Sequence, residues 1–326
     1  MNLVFNGFRH YHIFTCYKQA AVHSDIKILG AVEADPIARN HAEKTLGISV
    51  AETGMDAWLN NPEVDTVVIG GAFGTRGKAC IEALEHGKHI FCDKPICTDL
   101  AEFAEIQRLS REKNLMVGCL LDLRDIPSVT AAKELFESGE MGEIKNISFT
   151  GQHYIDYTNR PGWYFEEGMH GGTLNDIAIH GIDMLPFLTG HSVTKVHCAR
   201  TWNGFAYKNP EFEDCAHFMA ETDKGAGVVA DVSYSGPGQV FSMPTYWNFK
   251  IWCTKGLVTF CYANKDVTVY RDGAQGAEIS PGKECPETVF QTFVREALAG
   301  ERTTTEAILA GSEMALRIQN YADTHK

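Results

Sequence analysis

The chain of 326 residues contains no apolar run approaching the eighteen or so residues that a membrane-spanning helix needs, so no membrane is expected as a partner. It shows no basic leader followed by an apolar stretch and a small-residue cleavage site. Instead Leu3-Val4-Phe5 enters a strand-like pattern at once, which predicts a cytoplasmic protein. Positive charge is scarce. With 29 Lys and Arg against 42 Asp and Glu, the net charge is −13, which argues against nucleic acid or an anionic surface as a partner. The ten cysteines form no C-x-x-C pair and no metal-finger spacing, and several lie inside apolar runs, where a reduced thiol behaves as a small hydrophobe. Internal repeats and low-complexity linkers are missing too, so no metal and no repeat architecture is expected.

What remains is the composition of an ordinary globular protein, 44% hydrophobic and 22% charged, long enough for two domains. Over the first 122 residues, strand patterns at Leu3–Asn6, Ile28–Glu33, Thr66–Gly70, His89–Cys92 and Leu115–Cys119 alternate with helical ones at Pro36–Thr45, Thr75–Gly87 and Leu100–Lys113. Asp99 is a suitable N-cap for the last helix. Such alternation predicts an α/β domain with a doubly wound parallel sheet over 1–122. Over 123–326 the pattern changes to one helix, a strand-like Glu143–Tyr154, and then a series of strands between 194 and 270. That predicts an α+β domain with a largely antiparallel sheet. The amphipathic C-terminal segments Pro286–Ala299 and Glu306–Asp323 are expected to pack back on the first domain.

A doubly wound domain binds ligand at the carboxyl ends of its strands, and its first turn is expected to read G-x-G-x-x-G. Here that turn reads Asn6-Gly7-Phe8-Arg9-His10, with only the central glycine present. Gly7 would let a backbone approach a pyrophosphate. Arg9, with the amides of the helix start around Phe8 and His10, would attract phosphate. Glu33, at the end of the second strand, can accept from a ribose 2′-hydroxyl and would repel a 2′-phosphate, favouring NAD over NADP; it could equally cap the helix that opens at Pro36.

Two further stretches carry chemistry. In Gly171-Gly172-Thr173-Leu174-Asn175-Asp176-Ile177-Ala178-Ile179-His180-Gly181-Ile182-Asp183, a helix opening after the glycines puts Asp176, His180 and Asp183 on one face. A carboxylate one turn from an imidazole can orient the ring as a general base needs, although such pairs also occur on ordinary solvated faces. In Asp93-Lys94-Pro95, a lysine ends an apolar strand beside a turn-fixing proline. Lysine, histidine and carboxylate together suit chemistry on an alcohol or carbonyl. Ahead of the helix, His153, Tyr154, Tyr157, Arg160 and Trp163 offer aromatic faces and polar groups suited to a sugar ring, with Asn175 beside Asp176. Trp163 is as well suited to core packing, and His153 to a structural role. His10 and His12 are not expected to be metal ligands.

The order of these features resembles the Gfo/Idh/MocA oxidoreductases. The resemblance covers nearly the whole chain and rests on Glu82-Ala83-Leu84-Glu85-His86-Gly87-Lys88-His89-Ile90-Phe91-Cys92-Asp93-Lys94-Pro95, on Ser138-Gly139-Glu140-Met141-Gly142-Glu143-Ile144, and on Gly171–Asp183. Asp93-Lys94-Pro95 is similar to the family's E-K-P, and Asp176-x-x-x-His180 to its D-x-x-x-H. The resemblance implies a Rossmann domain that binds NAD(P), followed by an open, mostly antiparallel sheet whose exposed face often packs in homodimers or homotetramers. It implies substrates that are sugars, cyclitols or their derivatives. It also implies Lys94 near the nicotinamide ribose and the reacting oxygen, His180 as proton donor or acceptor with Asp176 as its partner, and Arg124 in the substrate site. The chain departs from the family in the two missing glycines and at Ile69-Gly70-Gly71-Ala72-Phe73-Gly74-Thr75-Arg76, where relatives usually show A-T-P-N-x-x-H. Both loops, Gly70 and Gly71 included, line the cofactor in the family. The leading expectation is hydride transfer between a secondary alcohol and the nicotinamide. Its rivals are redox-neutral glycoside cleavage with a resident dinucleotide, a non-catalytic dinucleotide or sugar sensor, and a metal-dependent lyase using His170, Asp176 and His180.

Overall fold

The computed structural model describes all residues, 1–326. The first compact unit comprises Met1–Leu121, Pro161–Gly171 and Val289–Ala310; the second comprises Asp122–Arg160, Gly172–Thr288 and Gly311–Lys326.

The first unit begins with β1 (Asn2–Asn6), α1 (His12–Val22), β2 (Lys27–Val32), α2 (Pro36–Leu46), α3 (Met55–Leu59), β3 (Thr66–Ile69), α4 (Phe73–Glu85), β4 (His89–Asp93), α5 (Leu100–Glu112) and β5 (Val117–Leu120). All ladders are parallel, in the order β2-β1-β3-β4-β5. A single parallel bridge from Val32 to Ala51 stands where a further strand would lie beyond β2. The chain order reverses between β1 and β3, so the crevice for a ligand opens at their carboxyl ends. Asp99 caps α5 as expected, its Oδ1 accepting from the amides of Ala101 and Glu102 at 2.8 Å each. Helix α2 is capped by Asp35, with Pro36 in its first turn, so Glu33 is released from that duty. Helix α1 lacks the sequence signal of a helix start, because it opens at Tyr11 with no side-chain cap and no acidic residue in its first turn.

The second unit carries α6 (Pro127–Glu137), β6 (Ile144–Gln152), a π-helical turn (Leu174–Ala178) leading into α7 (Ile179–Thr189), and β7 (Val193–Trp202), β8 (Cys215–Thr222) and β9 (Gly227–Ser233). These are followed by β10 (Asn248–Cys253), β11 (Gly256–Phe260), β12 (Val267–Arg271) and β13 (Glu278–Ser280). The eight strands run in the order β13-β12-β11-β10-β6-β9-β8-β7, antiparallel except for the β6–β9 pair. Strand periodicity puts Ile147, Phe149, Phe218, Phe249 and Ile251 on the covered face. Helix α7 lies against β6, where a Cβ on Gly181 would come within 2.1 Å of the Phe149 ring. The opposite face keeps Met219, Val229, Trp252, Tyr270 and Ile279 exposed.

The chain ends with α8 (Val289–Ala299) and α9 (Thr303–Thr324). Helix α8 belongs to the core of the first unit, whereas α9 is divided at Gly311 between the two units. Phe290 meets Phe91 edge-on at 5.0 Å and Phe293 meets it at a tilt at 5.1 Å, and Gly118 leaves room for that contact.

Candidate active site

The chemistry-bearing residues fall into two groups, one in each unit. In the first unit, β1 ends in Gly7 at φ +95°, a conformation glycine adopts without strain. A Cβ there would lie 2.5 Å from the Gly71 nitrogen, so this glycine is required by its neighbouring loop as well as by any ligand. The amides of Gly7, Phe8 and Arg9 donate to the Val32 carbonyl (2.8 Å), Glu33 Oε2 (2.6 Å) and the Gly70 carbonyl (2.8 Å). Glu33 is buried, and its other oxygen accepts from the Asp35 amide at 2.8 Å. A carboxylate oxygen has a second lone pair, so each can still meet a hydroxyl. The Arg9 guanidinium lies 3.6 Å from Asp35 and is partly exposed.

Asp93 is the hub of this half. Its Oδ2 accepts from His10 Nδ1 at 2.7 Å and Arg76 Nη2 at 2.9 Å, and its Oδ1 meets His12 Nδ1 at 3.2 Å. Arg76, wholly buried, also donates from Nη1 to the carbonyls of Asp93, Lys94 and Pro95 (2.9, 2.7 and 3.0 Å) and from Nε to that of Gly71 (2.8 Å). One guanidinium thus ties the glycine loop after β3 to the turn that carries Lys94, whose bond to Pro95 is cis. Lys94 is itself buried, with its ammonium 6.0 Å from the Phe73 ring centre. Burial opposes ionisation of Asp93, but the Arg76 guanidinium and the His10 hydrogen bond hold its carboxyl well below the usual range. Burial pushes His10 down to about 3 against the pull of Asp93, so the ring is neutral and its Nδ1–H is the donor. His10, His12 and Asp93 place ligand atoms within 4.8 Å of one another, a set able to hold a metal. Here, though, both carboxylate oxygens already receive imidazole or guanidinium donors.

Trp163 also belongs to the first unit. With Tyr164 it packs on Phe73 at 4.9 and 5.4 Å, and His170 approaches the same ring at 5.9 Å. The indole N–H of Trp163 is buried with no hydrogen-bond partner in the protein, a donor that a ligand could satisfy.

In the second unit the π-helical turn carries Asn175 and Asp176, both buried, and α7 carries His180, 3% exposed. A π turn adds a residue to the helical circuit and is frequent at functional sites. Here Gly172, at φ +90°, opens the segment against Gln319, which accepts from the Leu174 amide at 2.9 Å. The Tyr234 hydroxyl donates to Asp176 Oδ2. The His180 ring meets Trp247 edge-on at 5.2 Å, and His153 meets Tyr246 and Trp247 at 5.4 and 5.5 Å. Register explains this gathering. The ends of β6 and β9 lie side by side (Gln152 opposite Ser233), and the start of β10 lies opposite the end of β6 (Asn248 opposite Thr150). His153, Tyr234 and Trp247 are the residues that flank those three strand ends. Sequence reading found His153 and missed Tyr234, Tyr246 and Trp247. The aromatic residues bordering each strand, at Tyr234-Ser235-Gly236-Pro237 and Tyr246-Trp247, were the available signal.

Asp183, expected on the same helix face, takes the Arg124 guanidinium at both carboxylate oxygens, one bond at 2.7 Å, while Arg124 covers the Phe187 ring at 4.7 Å. Arg124 is therefore held by a buried ion pair. Tyr154 is 40% exposed, and its carbonyl accepts from Arg160 at 2.7 Å.

Two family models match in succession. Residues 8–120 match an oxidoreductase family described as an NAD-binding Rossmann fold, and residues 129–259 match the GFO/IDH/MocA C-terminal domain. The chain belongs to the Gfo/Idh/MocA oxidoreductases, and its first unit is an NAD-binding Rossmann domain. Among its relatives is a levoglucosan dehydrogenase of Pseudarthrobacter phenanthrenivorans, 26% identical over 72% of this chain and 65% of that protein. A second is the scyllo-inositol 2-dehydrogenase (NAD(+)) of Bacillus subtilis, 28% identical over 57% of this chain and 55% of that protein. The matches thus span about half to two thirds of these relatives. A levoglucosan dehydrogenase solved with NADH shares the fold, with a TM-score of 0.82 and 19% identity over 100% of this chain and 98% of that one. No helix is long and apolar enough to cross a membrane.

Proposed function

We propose that this protein is an NAD-dependent dehydrogenase acting on a secondary alcohol of a sugar, a cyclitol or a derivative, with His180 as acid–base, Asp176 as its partner and Lys94 as the stabiliser of the reacting oxygen. The observation that carries this reading is the burial of all three: Lys94, Asp176 and His180 are 3%, 2% and 3% exposed. Burying three ionisable groups is costly to a fold and is characteristic of a working site.

The first unit suits the dinucleotide. Its switch-point crevice is bordered by Gly7 and Gly71, the start of α1 and Arg9 offer positive potential for phosphate, and Glu33 stands where a ribose 2′-hydroxyl would be read and a 2′-phosphate refused. A nicotinamide dinucleotide held by the first unit would supply the hydride acceptor. His180 takes the hydroxyl proton as the carbinol carbon gives up its hydride, Lys94 steadies the negative charge developing on oxygen, and Asp176 favours the imidazolium that results. Trp163, by its placement in the first unit, is assigned to the dinucleotide or to the substrate edge next to it, its N–H meeting an acceptor there. His153, Tyr154 and Asn175 are assigned to the substrate. The exposed face of the eight-stranded sheet is assigned to contact between subunits.

The test is spectrophotometric: NADH formation with levoglucosan and with scyllo-inositol, for the wild type and His180→Ala, beside thermal shifts with NAD and NADP. The reading expects a larger shift with NAD and a loss of about 10²–10⁴-fold in turnover for the variant. Undiminished turnover in His180→Ala would remove His180 from the mechanism.

A further inference from the structure

The roles assigned so far leave out Tyr234, whose hydroxyl donates to Asp176 Oδ2. We propose that Tyr234 is a positioning residue for the acid–base pair, its buried phenol fixing the Asp176 carboxylate on which His180 depends. The inference rests on the reading of His180 as the proton acceptor.

Three observations support it. First, the phenol is held rigidly. Tyr234 is 1% exposed, its amide donates to the Asp214 carbonyl at 2.8 Å, and its ring lies between Phe212 at 5.4 Å and the Arg160 guanidinium at 4.8 Å. Arg160 is fixed in turn by Nε and Nη2, which donate to the carbonyls of Ile155 and Tyr154 at 2.7 Å each. Secondly, the acceptor is an ionisable group. A buried phenol needs only some acceptor, and the backbone offers many carbonyls; this one is directed to a carboxylate one turn before His180. Thirdly, Asp176 sits in the π-helical turn, where the backbone departs from the α path, and the Tyr234 hydroxyl reaches its carboxylate from outside the helix.

Hydrogen bonding to a carboxylate stabilises its charge and reduces its basicity. Removing the phenolic donor should therefore leave a more basic, less constrained Asp176 that favours protonation of His180 more strongly. Charged and titratable groups on the surrounding elements include His153, Arg160, Tyr246, Asp214, the Arg124–Asp183 pair, Asp122 and Asp125 before α6, Lys133, Glu134 and Glu137 on α6, Lys145 on β6 and Asp231 on β9. All of them persist in Tyr234→Phe, so the difference from wild type isolates the phenol.

The experiment is a side-chain nitrogen NMR titration of the full-length protein with added NAD, the His180 signal being assigned by its loss in His180→Gln. The expected result is an upward move of the His180 midpoint by about half a pH unit in Tyr234→Phe and a downward move in Asp176→Asn, with the double variant matching Asp176→Asn. If Tyr234→Phe does not fold, 3-fluorotyrosine placed at 234 gives a stronger donor, and the midpoint should fall. An unmoved midpoint in the variant that folds, or a double variant that departs from Asp176→Asn, overturns the positioning role. Wild-type turnover of levoglucosan or scyllo-inositol by His180→Gln would instead overturn the acid–base reading, and the two failures remain distinguishable.

Discussion

The two groups of chemistry-bearing residues, one half in each unit, are built from different materials. Around Lys94 the first unit uses charge. Arg76 and Asp93 form a buried pair, extended by two imidazoles and four backbone carbonyls. Around His180 the second unit uses aromatic rings at the ends of three strands, with one phenol–carboxylate bond. Polar networks fail together when one member is lost, because the remaining charges stay buried without compensation. Aromatic boxes degrade contact by contact. Damage to the first half should therefore appear as lost folding stability, and damage to the second mainly as lost turnover.

Arg76→Met offers the sharpest break in that comparison. It strands Asp93 and frees both loops, so a loss of about 3–5 kcal/mol in chemical unfolding is expected, together with loss of the NAD-induced thermal shift. A smaller loss than that from Trp247→Leu would erase the distinction between the halves.

Acid should act on the same network. Folding lowers the His10 value from 6.5 to about 3, so the neutral ring that the fold requires contributes fully above pH 6.5. That contribution is lost as pH falls toward 3, at no more than about 1.4 kcal/mol per pH unit. Burial lowers His89 and His191 as well, in the same direction, so the wild-type slope is a sum. His10→Gln keeps a donor for Asp93 and cannot titrate. Its unfolding free energy should fall less steeply between pH 6.5 and 4; parallel curves would show that His10 is not part of the acid response.

In the second unit, Gly181→Val places a side chain where the Phe149 ring already lies within 2.1 Å of a Cβ. The overpacking should cost about 1–3 kcal/mol and tilt α7. Turnover should fall further than stability does, because His180 sits on that helix. An equal fall in both would mean the second half is no more sensitive than an ordinary core position.

What could be read in advance follows the range over which each feature is determined. The parallel sheet and the Asp99 cap are set by local pattern and were read; the burial of Asp176 and His180 was not. Arg76 was seen only as a departure from A-T-P-N-x-x-H. Its role depends on contacts with residues 93–95, which no local pattern displays. Asp183 was placed on the helix face of Asp176 and His180, and Arg124 in the substrate site by resemblance; the structure pairs the two with each other across 59 positions. Tyr234, Tyr246 and Trp247 were missed for the same reason: only the register of β6, β9 and β10 brings them together. His10, expected beside a phosphate, is bound through Nδ1 to Asp93, a partner 83 positions away that no local pattern displays.

The smallest effect is expected outside both halves, on the exposed face of the large sheet. Trp252 and Val229 stand on solvent-facing positions of β10 and β9, 49% and 48% exposed. Trp252→Glu with Val229→Lys removes only half-buried surface contacts, so unfolding of the isolated subunit should move by no more than about 1 kcal/mol. If this face joins subunits, light scattering should show the variant at half the wild-type mass or less, while NAD still raises its melting temperature. An unchanged mass would exclude this face from the contact. A lost NAD shift would show instead that the first half depends on assembly, and the contrast between a self-sufficient charged network and an aromatic box would then hold only within the oligomer.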